Sequence, residues 1–392
     1  MADLAGKLKI DLSRDGIGTG VTIRSSRPVS ASRVFVGKGV DETAAALPTL
    51  YSICSIAQSC ACAAACEAVL ELPQLPAIAR LRRLLVDAET VREHLWRLLL
   101  DWPSLLGDSS EGQPMARVMT AFSRLRGALG GEGDLFRPGS QGVEPDLSVA
   151  AGCLEELDAV IGAHVLGTPP SRWLVDVETG DDLIAWSRDT STAAALLLRK
   201  VSDNGWAALG RSRVSALPIL SPADLEAVLG SAGVEGFLAE PLWNDNPAET
   251  SPYTRNRGDA VVTGLSARFG NGLLPRLAAQ LVEVAALYED LQEGLADSES
   301  SVSHFAAGIG DGVGIARVEA ARGLLVHRVA IDGDRIRDYR ILAPTEWNFH
   351  PQGAVARGLA KLEAVDEATL DFQARLFVTA VDPCVDYDVT VR

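Results

Sequence analysis

Residues 51–72 hold the stretch that most restricts how this chain can fold. From Ile53 onward nearly every side chain is small or apolar, with Cys54, Ile56, Ala57, Cys60, Cys62 and Cys66 among alanines. A helix with no polar face has nothing to offer water and belongs at the centre of a protein. A centre of that kind needs a large body around it. The 392 residues, 47% of them hydrophobic, are enough to supply one. Aromatics are only 5% while Ala and Leu abound, which favours helix packing over sheet packing. We expect one domain, 1–392, mainly α with small β insertions (α+β), built around a central helix at 51–72.

The rest of the pattern supports that class. Residues 7–37 alternate polar and apolar (Leu8, Ile10, Leu12, Val21, Ile23, Val34, Val36) around Gly16, Gly18 and Gly20, and predict a short β element. One or two amphipathic helices follow at 78–106, and the glycine-rich stretch 130–142 reads as a loop. Further helices are expected around 147–165, 190–200, 222–238, 258–270 and 274–297. A polar stretch from Ser298 reads as a hinge. Beyond it the period shortens to two, and 312–345 predicts paired strands turning at Asp332-Gly333. Helical patterning returns over 353–380 and stops at Pro383, which cannot continue a helix.

The formal charge of −16 argues against nucleic acid or an anionic membrane as a partner. No run of about eighteen apolar residues predicts a membrane span, and the first ten residues lack the apolar core of a secretory signal. The six cysteines (54, 60, 62, 66, 153 and 384) crowd into one segment with two outliers, which is no disulfide framework. A reduced, cytoplasmic protein is expected.

Four fragments carry chemistry: Tyr51-Ser-Ile-Cys54-Ser-Ile-Ala-Gln58, Glu319-Ala-Ala-Arg322-Gly-Leu-Leu-Val-His327 on a strand, Leu342-Ala-Pro344-Thr345-Glu-Trp-Asn348 and Asp382-Pro-Cys384. Together they resemble the large subunit of nickel–iron hydrogenases, with a fainter echo in Glu249-Thr-Ser-Pro252-Tyr-Thr-Arg255. That family carries Arg-x-Cys-Gly-x-Cys-x-x-x-His early and Asp-Pro-Cys-x-x-Cys-x-x-His late. The resemblance is specific over 300–392, moderate over 30–70 and weak between, and it implies a hydrogenase large-subunit-like helical core.

The departures are as informative as the matches. Tyr51 stands at the first cysteine position of the early motif, Cys54 at the second, and Gln58 at its histidine. In the late motif Cys384 keeps the first cysteine, while Tyr387 and Thr390 take the second and the histidine. Two of four thiolates are missing, so a four-sulfur nickel site cannot form and no nickel is expected, because a phenol does not replace a soft thiolate.

What is left suits the iron half of the family's cofactor. The resemblance implies Cys54 and Cys384 as metal ligands for an Fe(CN)2(CO) fragment. Arg322, Pro344 and Thr345 would stand around the diatomic ligands as donors and wall, and Asp382 behind the arginine. The chain runs only two residues past the late histidine position, without the extension that family precursors carry. The pattern is similar to the HupK/HoxV group of hydrogenase maturation proteins. It implies a non-catalytic scaffold whose partners are the large-subunit precursor and other maturation proteins. Two alternatives stay open: a metal-free docking homologue, and a diverged hydrogenase-like oxidoreductase. Taken alone, Cys54 and Cys384 would read as small buried hydrophobes, and Cys60, Cys62, Cys66 and Cys153 as core packing.

Overall fold

The computed structural model describes residues 6–14, 19–109, 112–296 and 305–392. Gly16, Gly18, His304 and the expected hinge from Ser298 lie outside them. The central segment folds as helix α2 (Ser55–Val69), preceded by α1 (Val40–Leu50) and followed by α3 (Pro76–Trp96). Every residue of α2 from Ile56 to Glu67 is buried. Its one charged residue there, Glu67, is neutralised by a two-pronged ion pair with Arg82, itself 1% exposed.

An antiparallel meander covers one side of α2: β5 (Phe305–Gly310), β6 (Val313–Ala320), β7 (Gly323–Asp332) and β8 (Arg335–Leu342), in that order. The expected turn is present, with Asp332 opposite Arg335. The helix and sheet touch backbone to backbone, since a Cβ on Gly314 would fall 2.2 Å from the Ala65 carbonyl oxygen. Ala316, Val318, Leu325 and Val329 face the main core. Ile315, Val326 and Leu342 on the opposite face meet a smaller core that includes Leu225, Leu229, Val234 and Leu238. Both faces of the sheet are therefore buried.

A second sheet joins the two ends of the chain. β1 (Lys7–Arg14) pairs antiparallel with β2 (Thr19–Ser25) and parallel with β9 (Asp386–Val391), placing Leu8 opposite Tyr387. The short pair β3 (Ser215–Ala216) and β4 (Ala248–Glu249) forms a third sheet. Val34 and Val36 do not extend the N-terminal sheet: 31–35 is a 3-10 turn with both valines exposed.

Gly112–Ala128, Leu147–Ile161, Pro170–Asp176 and Ala193–Asp203 pack against α3 or the long helix Leu273–Ala296, whose first thirteen residues are all buried. Three helices in the middle, Gly112–Ala128, Pro170–Asp176 and Gly180–Asp189, have no counterpart in the sequence reading. The expected C-terminal helices over 353–380 are Ala354–Leu359 and Glu367–Val381. Among the described residues, no helix is long and apolar enough to cross a membrane.

Candidate metal centre

Cys54 is the residue just before α2, and its side chain caps nothing. The first free amides of that helix, on Ile56 and Ala57, instead donate to the two carboxylate oxygens of Glu89 on α3, each at 3.0 Å. A borrowed cap of this kind satisfies the helix start and leaves the thiol out of the cap. Cys384 arrives from the other end of the chain. Helix Glu367–Val381 terminates at Asp382, whose φ of 60° is left-handed, a conformation tolerated by Asp better than by most residues. The turn swings Cys384 inward, and pairing of β9 with β1 holds it there.

Both thiols line one cavity, together with Arg27, Arg322, Pro344 and Glu346. It encloses about 100 Å³, room for a few water-sized groups. Arg322 is not on a strand, as the sequence reading has it, but in the two-residue turn between β6 and β7. That turn is clamped: Asn348 donates to the Arg322 carbonyl at 3.2 Å and Thr250 accepts from the Leu324 amide at 2.9 Å. Gly323 follows at φ 128°, where a Cβ would sit 2.3 Å from the Thr250 carbonyl oxygen, so only glycine fits.

The Arg322 guanidinium is 5% exposed, with Nη1 2.9 Å from Glu93 and Nε 3.3 Å from Asp382. Neither contact is aligned as a hydrogen bond, and Nε and Nη1 have no hydrogen-bond acceptor. Asp382 also accepts from Arg97 Nε at 2.6 Å. Arg97 opens a π-helical turn, Arg97–Asp101, that continues α3, and such turns recur at functional sites. Burial alone would raise the Asp382 carboxyl, but the Arg322 and Arg97 guanidinium groups outweigh it and hold it below the usual carboxylate range.

The sequence reading missed Arg27. Its Nη1 donates to Cys384 Sγ at 2.9 Å and lies 3.2 Å from Glu346. Burial would lower its pKa, but Cys384 and Glu346 more than compensate, so it remains a cation. Thr345 does not line the cavity; its hydroxyl sits 2.9 Å from Cys384 Sγ and accepts from the Cys384 amide at 3.3 Å. Asp382 likewise stands behind the wall, where it meets Arg322. Cys54, Cys384, Arg322 and Pro344 are thus brought together around one space, with Thr345 and Asp382 as their supports.

Burial, and then the neighbouring Cys384, push the Cys54 thiol up to about 12. Gln58 faces it, with the amide nitrogen 3.7 Å from Sγ. The Gln58 amide oxygen lies 2.8 Å from His327 Nε2, and His327 Nδ1 lies 2.9 Å from the Tyr339 hydroxyl. Burial lowers His327 to about 3, so the ring is neutral and carries one proton. With Nε2 protonated toward Gln58 and Nδ1 accepting from Tyr339, the amide is turned so that its N–H groups face Cys54.

Residues 272–386 match the family described as nickel-dependent hydrogenase. Over 94% of its length the chain is 32% identical to the hydrogenase expression/formation protein HoxV of Cupriavidus necator, covering 92% of that protein. It belongs to the hydrogenase expression/formation proteins. A second member of this family, HupK of Rhizobium leguminosarum bv. viciae, is 31% identical over 99% of the chain and 97% of its own length. Solved hydrogenases share the fold of this expression/formation protein. The Ni-Fe-Se hydrogenase of D. vulgaris Hildenborough covers 95% of the chain, and 94% of its own is covered, at a TM-score of 0.62 and 14% identity. An NAD+-reducing [NiFe]-hydrogenase covers 94%, with 92% of its own covered, at 0.54 and 17%.

Proposed function

We propose that this expression/formation protein is a non-catalytic scaffold in nickel–iron hydrogenase maturation. It holds an Fe(CN)2(CO) unit between Cys54 and Cys384 before passing it to the hydrogenase large-subunit precursor. The supporting observation is one cavity in which two thiols from opposite ends of the chain meet a buried guanidinium held by Glu93 and Asp382.

The donor set fits that cargo. Among the described residues no group of three or more His, Cys, Asp or Glu is arranged to hold a metal ion. Two thiols are too few to close a coordination shell around a bare ion. A metal that arrives with its own ligands needs no more from the protein. Cyanide ends are anionic acceptors, and the Arg322 guanidinium is a buried cation at the wall, where a charge-assisted hydrogen bond would be strong. Asp382 and Glu93 fix that guanidinium from behind, and Pro344 excludes water from one side. A four-sulfur nickel site has no counterpart here, with Tyr51 and Tyr387 at two of the four positions.

Infrared spectra of the full chain, purified without oxygen from a host that assembles the hydrogenase cofactor, test the reading. Cyanide and carbonyl stretches are expected, and Cys384→Ala should abolish or shift them. Bands unchanged in Cys384→Ala would sink the ligation. Protein free of iron and of both bands under every anaerobic preparation would favour a metal-free docking homologue instead.

A further inference from the structure

Arg27 has no role in the reading above, yet it is the second permanent cation of the cavity. It is bound to one of the two thiols and only 14% exposed in its side chain. Around Cys384 Sγ, the Arg27 Nη1 and Thr345 Oγ1 contacts, both at 2.9 Å, occupy two directions and Cβ a third. One direction remains. A thiolate so placed can still serve one metal as a terminal ligand, while the two contacts crowd the approach of a second. Arg27 also engages Glu346, a carboxylate of the cavity lining that a hard or borderline ion could recruit.

The geometry points to Arg27 as the specificity residue of this cavity: it reserves Cys384 for a single metal that carries anionic ligands and shuts out bare divalent cations. The inference deepens the scaffold reading and rests on it for the identity of the cargo. The physical cause is charge. A guanidinium in contact with the ligating sulfur repels an incoming dication in a poorly screened space, whereas a cyanide-bearing metal presents negative ends to it. The same contact would welcome the correct unit and reject its unassembled ion.

The full chain, reduced and kept anaerobic, is titrated with cobalt(II) chloride, and thiolate-to-cobalt charge-transfer absorption is followed. Arg27→Met should bind cobalt at least about tenfold more tightly than the wild type, and adding Cys384→Ser should remove the gain. Arg27→Lys, which keeps the charge, should stay near the wild type. Arg27→Gln gives the same reading if the Met variant does not fold, as judged by circular dichroism. Equal affinities in wild type and in Met or Gln, a gain that survives Cys384→Ser, or a Lys variant that binds like Met would each overturn the inference. None of these outcomes depends on whether infrared bands are found in the wild type, so failure here and failure of the scaffold reading remain separable.

Discussion

The walls of the cavity and the helices of the middle region follow opposite plans. In Gly112–Ala128, Leu147–Ile161 and Ala193–Asp203 the buried side chains are apolar, such as Val118, Phe122, Leu157, Leu197 and Leu198. Helix ends there are satisfied from within a few residues: Asp146 caps Val149, Thr179 forms a capping box with Asp182, and Thr192 caps Ala195. Ion pairs such as Arg124–Glu156 and Arg172–Asp176 stay in water. Around the cavity the charges are inside, and their partners lie far away in sequence: Arg97 with Asp382, Arg322 with Glu93, Arg27 with Glu346; Arg276 and Glu249 form a further buried pair. Apolar burial has no preferred direction, so the first plan tolerates repacking. Buried charges demand particular partners in particular places, so the second does not.

The sharpest way to break this contrast is to remove one buried carboxylate. Glu249→Ala strands Arg276, which is 1% exposed, and should cost about 3–5 kcal/mol by urea unfolding. In the middle region, Leu198→Ala removes a fully buried side chain and should cost about 2–5 kcal/mol by the same measurement. Its infrared bands should match those of the wild type once folded. A large change in those bands would erase the distinction between frame and site.

A milder test uses pH. Arg255 and His94 hold Glu283 well below the ordinary glutamate value, against a burial effect that would raise it. A depressed carboxyl stabilises the fold fully above its unfolded value of about 4.3 and loses that contribution as pH falls toward the folded value. The stability gap between wild type and Glu283→Gln should therefore be largest near neutrality and shrink below about pH 4. The smallest effect expected is from Ser221→Ala, which removes the cap hydroxyl that accepts from the Asp224 amide. It should cost about 1 kcal/mol and leave the cavity untouched.

The two plans also explain how much could be read from the sequence. Central helix α2, the Asp332-Gly333 turn and the middle helices Leu147–Ile161 and Ala193–Asp203 follow from local periodicity. The gathering of Cys54, Cys384 and Arg322 is legible only through the family resemblance, whose motifs they occupy. Arg27 stands in Ser-Ser-Arg-Pro, a stretch with no periodic signal, and its meaning lies in Cys384, 357 positions away. Nothing local marks it. Gly112–Ala128 mixes Met, Gln, Thr and Arg on a narrow apolar stripe, which blurs its period. Strand β9 was within reach, since Val385, Tyr387, Val389 and Val391 alternate with polar residues.

The parallel pairing of β1 with β9 bears on when the protein becomes competent. Translation delivers residues 7–14 first and residues 386–391 hundreds of codons later. Throughout synthesis β1 can use only one of its two edges, and the position occupied by Cys384 stays vacant until β9 leaves the ribosome and docks. A chain stalled or cut before that strand therefore has Cys54 but no opposing sulfur. The facing of Cys54 and Cys384 across the cavity is thereby tied to the docking of β9.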